Sequence, residues 1–406
     1  VLSNLRPAEP TCGCNWFSPY TILQRDALGR DGRKHRLGIG VIGFAPPRTL
    51  TWERAQLGDA LVADGIVATA RRLVPEMRRA GADIVIALCH SGVAPDGETV
   101  RRENAAGPLA TVEGIDAVIA GHVHALFPRS EAEDGRVGTV PIVMPGVDGS
   151  HLGIVDLTLE HAETGWRVRA GKSRLRAVEA GRTRQDSRIV ALAQPLHERT
   201  VAHLREPVGH SEQPLHSYFS LVAPSHALAV TAEAQANFIA PLLHDRGLAE
   251  WPLLSVVSPL RCGGRAGPEH YTDIPAGTLT RGRLADLYSY PNRVCAIRIT
   301  GGDLAEWLAQ SAGLFRTIPR GAQDAPLIDP FWPSYFFDVI YGLEYRIDLS
   351  RAPGRAGAGR IRDLRYNGAP VSESDVFVLA LSDYRATSGQ FPGTGRQADL
   401  VVGGAA

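Results

Sequence analysis

The 406-residue chain balances 43 Lys and Arg against 43 Asp and Glu. It therefore has no basic field to hold a nucleic-acid backbone, which argues against a polymer substrate but not against a mononucleotide. Its 44% hydrophobic content is that of a globular protein, no apolar run reaches the length of a membrane span, and 406 residues exceed one ordinary core, so two domains are expected.

The chain opens on "VLSNLRPAEP", a turn-rich stretch with neither an initiator Met nor the basic start and apolar centre of a signal peptide. Cys12 and Cys14 follow, too close for a zinc-knuckle pair, and read as loop thiols, with one strained or external disulfide as the alternative. "RLGIGVIGFAPP" is the first expected strand, closed by Pro46 and Pro47. "DGIVATARRLVPEMRRAGA" has apolar residues at helical spacing and stops at Gly81. "DIVIALCH" and "GIDAVIAGHVH" are two further buried strands, and "VPIVMPG" and "HLGIVDLTLE" add two more. Strands separated by helices imply a layered α/β domain with a mostly parallel or mixed sheet. A polar amphipathic helix, "DSRIVALAQPLHERTVAHLRE", then separates two sheet-rich regions. The expected division is a first domain over 1–184, a linker helix over 185–206 and a second domain over 207–406. That second domain mixes helices ("HALAVTAEAQANFIAPLLHDRG", "GGDLAEWLAQSAG"), strands ("RVCAIRIT", "LEYRIDLS", "VFVLALSDY"), a glycine-rich turn ("RCGGRAG") and a hairpin loop ("RAPGRAGAGR").

Two of the apolar strands finish in histidine, at His90 and at His122 with His124. Ligand sites in open α/β sheets gather beyond the carboxyl ends of strands, and a neutral imidazole held there is a good ligand for Zn²⁺, Mn²⁺ or Co²⁺. In an extended loop, the i, i+2 spacing turns His122 and His124 to one side, while Gly121 lets the backbone pass close to an ion.

With these motifs the chain resembles the calcineurin-like metallophosphoesterases and, within them, the 5′-nucleotidase family, in particular its bacterial periplasmic 2′,3′-cyclic-nucleotide 2′-phosphodiesterase/3′-nucleotidase branch. The matching stretches include "IGVIGFAPP", "GIDAVIAGHVHALFP", "LADLYSYPN", "FFDVIYGLEYRIDLS" and "YRATSGQFPGTG". The resemblance implies a truncated four-layer α/β/β/α sandwich followed by an α+β nucleotide-binding domain. It also implies two divalent metals, with His90 and His122 on one ion and His124 on the other. The family's Asp-x-His, Asp and Asn-His elements, including its catalytic His, are expected upstream of Val1. Three neutral ligands without the acidic bridge are expected to hold metal weakly. Tyr290 and Tyr384 match positions where the family sandwiches the base, and Arg265 lies where it contacts phosphate or substrate; Arg261 is a weaker candidate. "PLRCGGR" and "TSGQF" favour the cyclic-nucleotide branch over 5′-nucleotidase/UDP-sugar hydrolases, although that alternative and an inactive nucleotide-binding fragment both stay open. A monomer in the periplasm or cell wall, acting on small nucleotides after rotation of its second domain, completes the expectation.

Overall fold

The computed structural model describes residues 1–9, 16–93, 104–130, 133–162, 165–264, 267–329, 332, 334–353, 359–396 and 400–402. The chain divides into two compact units, Val1–Gln185 and Asp186–Ala406.

In the first unit the strands are β1 (Tyr20–Leu28), β2 (Lys34–Phe44), β3 (Ile84–Cys89), β4 (Ala117–Ala120), β5 (Leu126–Phe127) and β6 (Val140–Pro145). They form one sheet in the order β1-β2-β3-β4-β6-β5, with the short strand Arg136–Val137 also on β6. The central pairs β2–β3, β3–β4 and β4–β6 are parallel, and β1 and β5 close the ends antiparallel. Three short helices, α1 (Thr49–Trp52), Arg54–Leu57 and Ala106–Ala110, and one long helix, α2 (Ile66–Arg79), lie in the crossovers among the described residues.

Alternation along the parallel strands decides the layering. Val85, Ala87 and Cys89 of β3 and Val118 and Ala120 of β4 turn to one face, where Leu73, Val74 and Met77 of α2 and Leu109 bury them. Arg78 at the end of α2 closes this layer, donating to Asp116 Oδ2 at 2.6 Å and to Gly114 O at 2.8 Å. On the opposite face Leu88 and Ile119 remain 42% and 40% exposed. A long hairpin, β7 (His151–Ala162) with β8 (Gly165–Ala177), approaches that face at β6: side chains on Gly153 and Gly171 would strike Val143 and Pro141.

Two differences from the sequence reading stand out. The stretch before β2 is not merely turns, because β1 pairs with β2 residue for residue from Tyr20–Ile42 to Leu28–Lys34. The opening residues are also structured. Leu5–Pro7 pairs with Leu61–Ala63, and fully buried Asn4 donates to Ala45 O and Asp64 O while accepting from Ala45 N. Both segments are extended because a partner strand uses their backbone groups, which local composition does not reveal.

The second unit begins with α3 (Ser187–Leu204), capped by the Asp186 side chain accepting from Arg188 N. None of its residues is buried. Beside three smaller sheets, most of the other elements build a three-layer body around a five-stranded sheet. Its members are α4 (His226–His244), β9 (Leu253–Val257), α5 (Arg281–Leu287), β10 (Val294–Thr300), α6 (Gly301–Ser311), β11 (Val339–Tyr341), β12 (Val376–Ser382), α7 (Asp383–Thr387) and β13 (Leu400–Val402). The order is β11-β9-β12-β10-β13, with only β9–β12 parallel. Ala296, Val378 and Ala380 face Ile239 and Leu243 of α4. Ile297, Ile299, Leu379 and Leu381 face Leu304, Trp307 and Leu308 of α6. Both faces of this sheet are apolar because both are covered, as the unbroken apolar run of "VFVLAL" requires. Among the described residues no helix is long and apolar enough to cross a membrane.

Candidate active site

The carboxyl ends of β2, β3 and β4 meet in a shallow cleft of about 290 Å³, lined chiefly by Leu2, Phe44, Leu88, Ile119 and Gly121 with His90 beside them. His90 follows β3 directly, its backbone N donating to Phe44 O at 2.9 Å, which continues the β2–β3 ladder by one residue. Its ring lies over Gly121, where an added Cβ would come within 3.4 Å of Nδ1.

The His90 and His122 rings meet edge to face, their centroids 5.2 Å apart. Burial, and then the nearby charge of His124, hold the His90 imidazole below its ordinary pKa of 6.5. That favours the neutral form, the one able to donate a lone pair to a metal. Cys89 next to it is no competitor as a ligand: burial pushes its thiol up to about 12.

The loop carrying the other two imidazoles is not extended. His122 and His124 have φ of 74° and 57°, and Val123 N donates back to Gly121 O at 2.9 Å. The i, i+2 reasoning for one-sided presentation therefore does not apply; a tight left-handed turn sets the ring directions. Each left-handed non-glycine residue costs on the order of 1–3 kcal/mol, which neighbouring contacts must offset. One such contact is Trp52 of α1, whose ring stacks on His122 at 5.0 Å and 22°. Arg48 lies 5.9 Å from the centre of that indole. Neither residue was singled out from the sequence, although both sit just past the Pro46-Pro47 punctuation that ends the strand.

The three histidines thus share one edge of the sheet, with His90 and His122 in direct contact and His124 close enough to act on His90 through its charge. Among the described residues, however, no three His, Cys, Asp or Glu side chains are placed to hold a metal ion. The donor chemistry suits one flank of a divalent-metal centre and does not complete it, since among the described residues no carboxylate is grouped with the imidazoles.

In the second unit, sheet pairing brings the two candidate tyrosines to one end. Val294, the first residue of β10, pairs with Ser382, the last of β12. Tyr290 lies four residues before that point and Tyr384 two residues after it. Tyr290 is 53% exposed, and Tyr384 is half-buried in α7. Arg265 lies outside the described residues. Arg261, the weaker candidate, forms an ion pair with Asp286 at 2.5 Å. Ser217 is buried, donating to Arg261 O and accepting from Thr272 N, and so supports that turn.

Sequence reasoning missed the polar core behind Tyr384. Arg385, 8% exposed at its side chain, donates to Asp338 Oδ1 at 2.9 Å, Ser258 Oγ at 2.9 Å and Tyr335 O at 2.8 Å. Asp338 also accepts from Trp307 Nε1 at 2.9 Å and from Ser258 Oγ at 2.5 Å. Phe391 of "SGQF" stacks on Trp307 at 4.7 Å, with the Arg385 guanidinium 4.8 Å from its ring centre. A signal existed in the charged residues embedded in the apolar stretches "FFDVI" and "LSDYRA".

Residues 227–392 match the family described as 5′-nucleotidase, C-terminal domain. The chain is 36% identical over 406 aligned residues to a Salmonella typhimurium 2′,3′-cyclic-nucleotide 2′-phosphodiesterase/3′-nucleotidase, covering 93% of this chain and 62% of that protein. It is 34% identical over 400 residues to the trifunctional nucleotide phosphoesterase protein YfkN of Bacillus subtilis, covering 94% of this chain and 27% of that one. The chain therefore spans less than two thirds of the length of these relatives. A candidate 5′-nucleotidase from Staphylococcus aureus shares the fold at a TM-score of 0.71 and 19% identity, over 99% of this chain and 71% of that structure. The chain is thus similar, over 93–94% of its length, to bacterial nucleotide phosphoesterases, and its residues 227–392 match the 5′-nucleotidase C-terminal domain.

Proposed function

We propose that this chain contributes to metal-dependent hydrolysis of nucleotide phosphate esters, opening 2′,3′-cyclic nucleotides to 3′-nucleotides and then releasing nucleoside and phosphate. The observation that carries this reading is its 34–36% identity, over 93–94% of its length, to proteins named for that chemistry. His90, His122 and His124 would supply neutral nitrogen donors to a pair of divalent ions, Zn²⁺, Mn²⁺ or Co²⁺. Such ions, when bound, bring the pKa of coordinated water towards neutrality. The described residues do not complete that centre, so no proton transfer or bond-making step is assigned to them. What they do is more limited: His90 offers an unprotonated ring, Trp52 holds the His122 ring, and the apolar strand ends keep the surrounding surface poor in competing ligands.

In the second unit, Tyr290 and Tyr384 would stack the base. Stacking serves any base because each has a π-face, at roughly 1–3 kcal/mol apiece. Arg265 would contact phosphate. We place the protein in the periplasm or cell wall and as a monomer on the family resemblance.

Phosphate release from 2′,3′-cyclic AMP by the full gene product with Mn²⁺ or Co²⁺ tests the reading. Absence of turnover with metal demonstrably bound would end it, and faster turnover of 5′-AMP than of 3′-AMP would move it to the 5′-nucleotidases. The incomplete donor set favours one other reading, that the chain binds nucleotide without hydrolysing it. Calorimetric binding of 3′-AMP with no metal-dependent phosphate release is the outcome that selects it.

A further inference from the structure

We propose that Asp383 is a positioning residue that locks the Tyr290 loop to the Tyr384 helix and so presets the two rings as facing walls for a nucleoside. This rests on the stacking role given to the tyrosines above.

The argument starts from what holds each ring. Tyr384 lies in α7, a helix of only five residues, too short to be stable by itself. Its seat is the next residue, Arg385, which is fixed by the Asp338, Ser258 and Tyr335 bonds and by the face of Phe391. Ser382 caps the helix, accepting from Arg385 N at 3.2 Å. The Tyr384 backbone is thereby anchored to the core of the unit.

Among the described residues Tyr290 has no comparable seat. Its loop leaves α5 at Tyr288 and reaches β10 at Val294, with both Ser289 and Tyr290 exposed. Asp383 joins this loop to the anchored side. Its backbone N donates to Arg293 O at 2.8 Å, and its carboxylate Oδ1 accepts from Arg293 N at 3.1 Å. The same Oδ1 accepts from Tyr384 N at 2.8 Å. One carboxylate oxygen therefore bridges the backbone three residues after one tyrosine and the backbone of the other. The bond needs an acceptor at this place and not a negative charge, because both donors are neutral amides.

A preset pair spares the ligand the cost of ordering a mobile ring, which is worth a few-fold to about tenfold in affinity. The test is calorimetric titration of adenosine into the whole chain and its variants. Asp383→Ala is expected to weaken binding about three- to tenfold. Asp383→Asn, which keeps the acceptor and removes the charge, is expected to stay within about twofold of the parent, and a general loss of structure would not be restored so selectively. Equal affinity of Asp383→Ala and the parent overturns the proposal, as does a loss in Asp383→Asn equal to that in Asp383→Ala. Tyr290→Ala and Tyr384→Ala run alongside. If neither weakens adenosine, the stacking reading falls and takes the clamp with it; if both weaken it while Asp383→Ala does not, only the clamp falls.

Discussion

The histidine edge of the first unit and the tyrosine mount of the second are built on opposite plans. Behind Tyr384, Asp338 and Arg385 answer one another in a closed set of bonds within an apolar shell of Trp307 and Phe391. Around His90 and His122 there are ring contacts and left-handed backbone, with no acid among the described residues to complete a donor set. The sheets repeat the contrast. The second unit buries both faces of its central strands, whereas the parallel strands of the first leave Leu88 and Ile119 open, although parallel sheets are ordinarily covered on both sides. The tyrosine mount is locally self-sufficient, whereas the histidine edge lacks, among the described residues, the acidic groups that would complete a donor set.

The contrast breaks most sharply at the buried ion pair. Arg385→Ala leaves the Asp338 carboxylate, 1% exposed, without its counter-charge. Breaking such a pair from one side costs about 3–5 kcal/mol, so the urea midpoint of the second unit should fall steeply. A midpoint within error of the parent would show that the network does not hold the mount together. A smaller effect is expected at the rings themselves. Tyr384→Ala should weaken adenosine binding by about 1–3 kcal/mol without a matching loss of stability, since the ring is only half-buried. Unchanged calorimetric affinity would remove Tyr384 from the site.

On the histidine edge the corresponding substitution is Trp52→Ala. It removes a stacked partner worth about 0.5–1.5 kcal/mol from His122 and frees a strained turn. Co²⁺ affinity, read by absorption, should drop by less than about tenfold, with Trp52→Phe in between. Identical affinities for all three proteins would mean that the indole does not orient the imidazole.

How far the sequence reveals these two places follows from the range of the interactions involved. The strands at Ile84–Cys89 and Ala117–Ala120 and the helix at Ile66–Arg79 are legible because their apolar periodicity is local. Tyr20–Leu28 and Gly165–Ala177 are not, because their side chains are largely polar and exposed and their extension depends on β2 and on β7. The three histidines are visible as strand ends, but the left-handed turn that aims His122 and His124 has no signature in Gly-His-Val-His. Tyr290 and Tyr384 come together only through the pairing of β10 with β12, and Arg385 finds Asp338 across 47 residues. Pairings of that range are set by the whole fold.

The smallest expected effect sharpens the account of the histidine edge. Burial, and then the charge of His124, lower the pKa of His90 in the folded chain below the unfolded value of 6.5. Between those two values the unfolded chain binds more protons than the folded one, so stability rises with pH through that window and levels off above about 6.5. As pH falls below 6.5, protonation increasingly favours the unfolded chain. The ring is exposed in part, so solvent screens the effect and the change in melting temperature should be slight. The direct measurement is an NMR titration of the His90 ring without metal. Its midpoint should lie below 6.5, and His124→Ala should move it up only part of the way, because burial is the larger cause. A midpoint at or above 6.5 would mean that water reaches this imidazole freely, and the strand end would then offer a metal no standing supply of neutral nitrogen in mildly acidic surroundings.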